Sequence, residues 1–163
     1  MKFLQNWSGR HYDPTNKENY EYFSVQVPGN IQCDYLKFIG EENPMFSDNF
    51  SQMEATESWW WEYRTELSFT AHTDESVWLV SGGIDYIYDI LLDGKNIYSH
   101  EGMFTPVELD LTEKVHNGSI LQVIIHPHPK REGNYIKMRS LANQCCKPAV
   151  HYGWDFNPQL LVS

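Results

Sequence analysis

Between residues 61 and 69 the chain alternates strictly: Trp61, Tyr63, Thr65, Leu67 and Phe69 are separated by Glu62, Arg64, Glu66 and Ser68. A period of two belongs to a strand and not to a helix, and it predicts one dry face and one wet face. The pattern recurs downstream. Ile84, Tyr86, Tyr88, Ile90 and Leu92 fall on one face of a second stretch, and Val107, Leu109 and Leu111 on one face of a third. Residues 120–126 form a further β-branched run. Val77-Trp78-Leu79-Val80 is almost continuously apolar, which suits a strand buried on both faces. Asp93-Gly94 is the dipeptide of a tight hairpin, with 95–99 as the return strand, and Asn117-Gly118 is a second turn signal.

Short strands at roughly ten-residue spacing, with Gly and Asn at the turns, predict an antiparallel all-β sandwich or jelly roll. Helical periodicity is weak after residue 40. Upstream, residues 1–24 read as an irregular lead-in. Val25-Gln26-Val27 reads as a short strand running into the Pro28-Gly29 turn, and residues 31–39 have room for one or two helical turns. Residues 41–50 and 127–153 read as loop. Leu160-Leu161-Val162-Ser163 reads as the truncated start of a following segment, so residues 1–163 are taken as a single domain. In Trp59-Trp60-Trp61, alternation places Trp60 on the opposite side from the other two, with one of the three available to a neighbouring domain.

Charge and chemistry exclude several function classes. Twelve Lys and Arg face 22 Asp and Glu, a formal net charge of −10, whereas nucleic acid or an anionic membrane surface calls for positive charge. A neutral sugar is compatible with it. Cys33, Cys145 and Cys146 have no metal-binding spacing and read as ordinary thiols. His126-Pro127-His128-Pro129 is the one histidine cluster and has no carboxylate beside it in sequence, so neither a metal nor another cofactor is expected. No nucleophile elbow and no glycine-rich phosphate loop occurs. Glycoside hydrolysis needs two carboxyl groups, about 5 Å apart for retention. Asp85, Glu101, Asp110 and Asp155 are available, and no spacing singles out a pair. The residues alone therefore reach an acidic, aromatic-rich sandwich with possible sugar affinity, and no catalytic residue. The compartment stays open: periplasmic or secreted if a signal peptide has been removed, otherwise cytoplasmic.

Six segments, in order, resemble the N-terminal sugar-binding domain of glycoside hydrolase family 2, its β-mannosidase branch in particular. They are Val27-Pro28-Gly29-Asn30-Ile31 with Asp34-Tyr35-Leu36; Asn43-Pro44-Met45-Phe46 with Asn49; Trp61-Glu62-Tyr63-Arg64; Gly83-Ile84-Asp85 with Leu92-Asp93-Gly94; His100 to Pro106 with Asp110-Leu111-Thr112; and Tyr152-Gly153-Trp154-Asp155-Phe156-Asn157-Pro158. The resemblance implies a galactose-binding-domain-like jelly roll that precedes an immunoglobulin-like domain and a (β/α)₈ barrel. In that family the catalytic glutamates lie on the barrel, so none is assigned here.

The resemblance further implies that Trp154 and Asp155 reach into the barrel's active site and contact a terminal β-linked sugar. An indole stacks on a pyranose face, and a carboxylate accepts hydroxyl hydrogen bonds. Asp85 and Glu101 are expected to tie loops to backbone amides, and Phe104 to pack. Phe156 and Gln159 depart from the family's second Trp and its Arg, which bears on mannoside specificity. Two other readings stay open: a free-standing carbohydrate-binding module, and a structural domain that only docks and orients the barrel.

Overall fold

The computed structural model describes residues 3–15, 20–41, 56, 58–69 and 75–127. Among these, the strands are β1 (Ser8–Tyr12), β2 (Phe23–Ser24), β3 (Trp60–Glu66), β4 (Trp78–Ser81), β5 (Ile87–Leu92), β6 (Lys95–Glu101), β7 (Val107–Asp110) and β8 (Ile120–Ile125), with one helix, α1 (Ile31–Phe38). Six strands form one antiparallel sheet in the order β2-β1-β3-β8-β5-β6, and β4 pairs with β7 in a second. The architecture is the expected all-β antiparallel sandwich.

Alternation within each strand becomes a core because the register keeps like with like. Across β3, β8 and β5 the partners run Trp61–Ile125–Tyr88, then Tyr63–Val123–Ile90, then Thr65–Leu121–Leu92. All nine are buried. A slip of one residue in any strand would turn its apolar set outward. From the second sheet, Val107 joins this core and Leu79 and Leu109 pack against it. The β5–β6 hairpin closes as the dipeptide predicts, with φ of 50° at Asp93 and 78° at Gly94.

Asn30 starts α1 by accepting a hydrogen bond from the Cys33 N–H at 2.9 Å. The helix buries Ile31 and Leu36. Phe23 of β2 stacks on Phe38, with ring centroids 5.2 Å apart.

Four expectations need correction. The lead-in is not irregular throughout, because β1 lies inside the large sheet between β2 and β3. The short strand is Phe23–Ser24 and not residues 25–27, although the Val25 N–H still donates to the Trp7 carbonyl at 3.1 Å. The apolar run at β4 is not buried on both faces: Trp78 and Val80 are 54% and 49% exposed, since one face of the two-stranded sheet points to solvent. Phe104, expected to pack, is 65% exposed.

Candidate functional site

Trp154 and Asp155 lie outside the described residues, as do Phe156, Gln159, Cys145, Cys146 and His128. Of the acids weighed as hydrolytic candidates, Asp85 is buried beside Ile84 and Tyr86. Glu101 ends β6 in solvent. Asp110 ends β7 and caps the turn after it, accepting from the Thr112 N–H at 2.9 Å and its hydroxyl at 2.6 Å. The Thr112 hydroxyl in turn accepts from the Val77 N–H at 3.0 Å, tying β7 to the start of β4. Those bonds from Thr112 hold the Asp110 carboxyl below its usual range. An acid fixed in this way is a structural anion and not a proton donor.

The outer face of the large sheet carries a charged network that alternation alone did not reveal. Glu62, expected on the wet side, is fully buried. Its Oε2 takes Arg10 through Nε at 2.6 Å and Nη2 at 2.5 Å; its Oε1 accepts from the Tyr22 hydroxyl at 2.9 Å and Gln122 Nε2 at 2.7 Å. The register makes this possible, since Arg10 is the cross-strand partner of Glu62, and Gln122 sits opposite Arg64 on the neighbouring strand. The Arg10 guanidinium also lies 4.7 Å from the Tyr22 ring. Four donors saturate the carboxylate, leaving it no role as a base.

A second cluster lies on the same face. His126 Nε2 meets Asp89 Oδ2 at 2.7 Å, and the Ser99 hydroxyl donates to Asp89 Oδ1 at 2.5 Å. Trp60 covers the His126 ring with centroids 3.9 Å apart. Burial pushes the Asp89 carboxyl up, but the bonds from Ser99, His126 and Asn96 outweigh it and hold the group low. Nucleophilic catalysis would need the histidine between serine and carboxylate. Here the carboxylate is in the middle, so the serine is not activated.

Trp59 and Trp61 share the opposite side, with centroids 5.5 Å apart, as alternation predicts. His11 lies between Trp59 at 4.3 Å and Tyr20 at 4.4 Å. Burial lowers its pKa against the opposing pull of Asp13, so the stacked ring is favoured in its neutral form. Between the two sheets is a cavity of about 1070 Å³, walled by Tyr63, Ile90, Leu121 and Val123 on one side and Leu79 and Leu111 on the other. Trp7 and Pro28 line it too, as do Trp78 and Val80 of β4, which are also about half exposed. The lining is mostly apolar, with few of the convergent polar groups that orient a sugar. Among the described residues no group of three or more His, Cys, Asp or Glu could hold a metal ion. No described helix is long and apolar enough to cross a membrane.

The family model described as glycosyl hydrolase 2 galactose-binding domain-like matches residues 7–163. The chain belongs to this family of glycoside hydrolase family 2 domains. Its galactose-binding-like sandwich recurs in solved structures. A β-D-mannosidase from Dictyoglomus thermophilum aligns with 97% of the chain and 20% of its own length, at 21% identity and a TM-score of 0.72. A β-glucuronidase from Ruminococcus gnavus, solved with D-glucaro 1,5-lactone, aligns with 78% of the chain and 22% of its own, at 22% identity and a TM-score of 0.54. At such identities the likeness is one of fold. The chain spans about a fifth of the length of these structures. No curated protein sequence matches it.

Proposed function

We propose that this family 2 domain is the non-catalytic sugar-binding part of a retaining exo-glycosidase of β-mannosidase or β-galactosidase type. In this reading an immunoglobulin-like domain and a (β/α)₈ barrel follow it, and the barrel carries the catalytic glutamates at the C-terminal face of its strands. Trp154 stacks on the terminal β-linked sugar and Asp155 accepts its hydroxyls. The observation that carries the proposal is the family match over residues 7–163, which includes the Tyr152-to-Pro158 stretch. The saturated state of Glu62 and the structural bonding of Asp110 agree with chemistry located elsewhere.

The test is turnover of aryl β-mannoside and aryl β-galactoside by the intact protein. Asp155→Asn is expected to lower kcat/KM by about 10- to 100-fold, the worth of a charge-assisted hydrogen bond to substrate. Trp154→Ala is expected to fall at least as far. Unchanged kcat/KM in both variants would leave the domain a purely structural partner of the barrel. Tight sugar binding by residues 1–163 alone would instead favour a free-standing module, because half of a shared pocket leaves the sugar largely hydrated.

A further inference from the structure

Asn117-Gly118 is the sole Asn-Gly dipeptide in the sequence. It lies in the turn that leads into β8, and Asn117 is exposed. The Ser119 N–H closes the turn by donating to the His116 carbonyl at 3.0 Å, and φ at Gly118 is 89°. A left-handed third residue is what such a turn asks of glycine. Further bonds tie the dipeptide to the end of β3. The Gly118 N–H donates to the Leu67 carbonyl at 2.8 Å, and the Leu67 N–H donates to the Ser119 carbonyl at 2.8 Å. The Phe69 N–H donates to Asn117 Oδ1 at 3.1 Å. Leu67 and Ser119 are buried, so water competes poorly for their bonds.

We infer that Asn117 is a modification site gated by this turn: it forms a succinimide when the Gly118 N–H leaves Leu67 and stays an amide while that bond is made. Hydroxide takes the Gly118 amide proton, and the nitrogen attacks the Asn117 side-chain carbonyl carbon. The carbon–ammonia bond breaks, ammonia leaves and a five-membered ring closes. Water then opens either C–N bond of the ring, giving aspartate or isoaspartate, with no oxidant or reductant involved. Glycine favours the attack because it has no β-carbon to crowd the nitrogen. In the fold, both reacting groups are occupied: the nitrogen points its proton at Leu67, and the side-chain oxygen is held by Phe69. Isoaspartate adds a methylene to the main chain between residues 117 and 118. The Gly118 N–H and Ser119 carbonyl then cannot both return to Leu67, so the modification is a one-way loosening of the β3–β8 end. The inference is independent of the proposed sugar role.

The test compares the intact protein in mildly alkaline buffer with the same protein in denaturing urea. Peptide mapping by mass spectrometry follows deamidation at Asn117, and labelling by an isoaspartyl methyltransferase follows the isomerised product. Asp93-Gly94 closes the same ring by losing water and gains no mass, so mapping separates the two. Native Asn117 is expected to react about tenfold or more slower than unfolded Asn117, the factor given by about 1.4 kcal/mol of local opening free energy. Urea below the unfolding transition should raise the native rate. Asn117→Gln should abolish labelling of that peptide, and protein modified at Asn117 should refold with a lower Tm than the parent. Equal native and unfolded rates would overturn the gate. So would a faster native rate, because it would mean that the Phe69 N–H activates the amide. No deamidation of Asn117 in urea would overturn the site itself, and an unchanged Tm after modification would overturn the loosening.

Discussion

Glu62 shows how far a single residue can depart from its place in a pattern. Alternation assigns it to water, yet it is fully buried. Arg10, Tyr22 and Gln122 come to it from other parts of the chain, 52, 40 and 60 residues away in sequence. Nothing local to residues 60–66 announces them. A carboxylate buried in this way is stable only while its partners remain, and the partners depend equally on it. Glu62→Ala is expected to lower unfolding stability by about 3 kcal/mol, and Glu62→Gln by less, because the amide keeps the shape and part of the bonding. Urea titration followed by fluorescence measures both. Equal and negligible losses would mean that the network adds nothing to the fold.

The elements were legible where periodicity and turn chemistry acted together. β5 and β6 follow from alternation plus Asp93-Gly94, and β8 from its β-branched run. β1 was not legible, because Ser8-Gly9-Arg10-His11-Tyr12 has no apolar alternation. Gly9 brings no side chain to the core, and the strand is held by pairing with β3 over five residues. Connections carry constraints of their own. Gly83, between β4 and β5, has φ of 151°, and a Cβ built there would stand 2.3 Å from the Met103 carbonyl oxygen. That obstacle is backbone, so it cannot rotate away as a side chain could. Gly83→Ala is expected to cost at least 2 kcal/mol, roughly the sum of an unfavourable backbone conformation and a displaced loop. A drop in Tm well beyond that of Gly82→Ala is the expected result, since Gly82 has open space around its Cβ position.

For the molecule as a whole, the acid side of the stability profile is set by carboxylates bonded in the fold. Asp89, Asp93 and Asp110 all titrate below the ordinary aspartate value of 3.8. A lowered folded-state pKa adds stability above the unfolded value and loses it as pH falls through the folded one. Stability is therefore expected to decline as pH drops below about 4. Asp89→Asn, which removes the partly buried member of the three, should flatten that decline. Thermal melts at a series of pH values would show it, and parallel profiles for parent and variant would refute it.

The sequence by itself determined the fold class, the main hairpin and the family resemblance, because strand period and turn geometry are local properties of the chain. Only the tertiary structure decided that β1 enters the large sheet, that Glu62 is buried, and that Trp78 and Val80 face solvent. Each of these depends on which strand lies beside which, and that pairing joins residues dozens of positions apart.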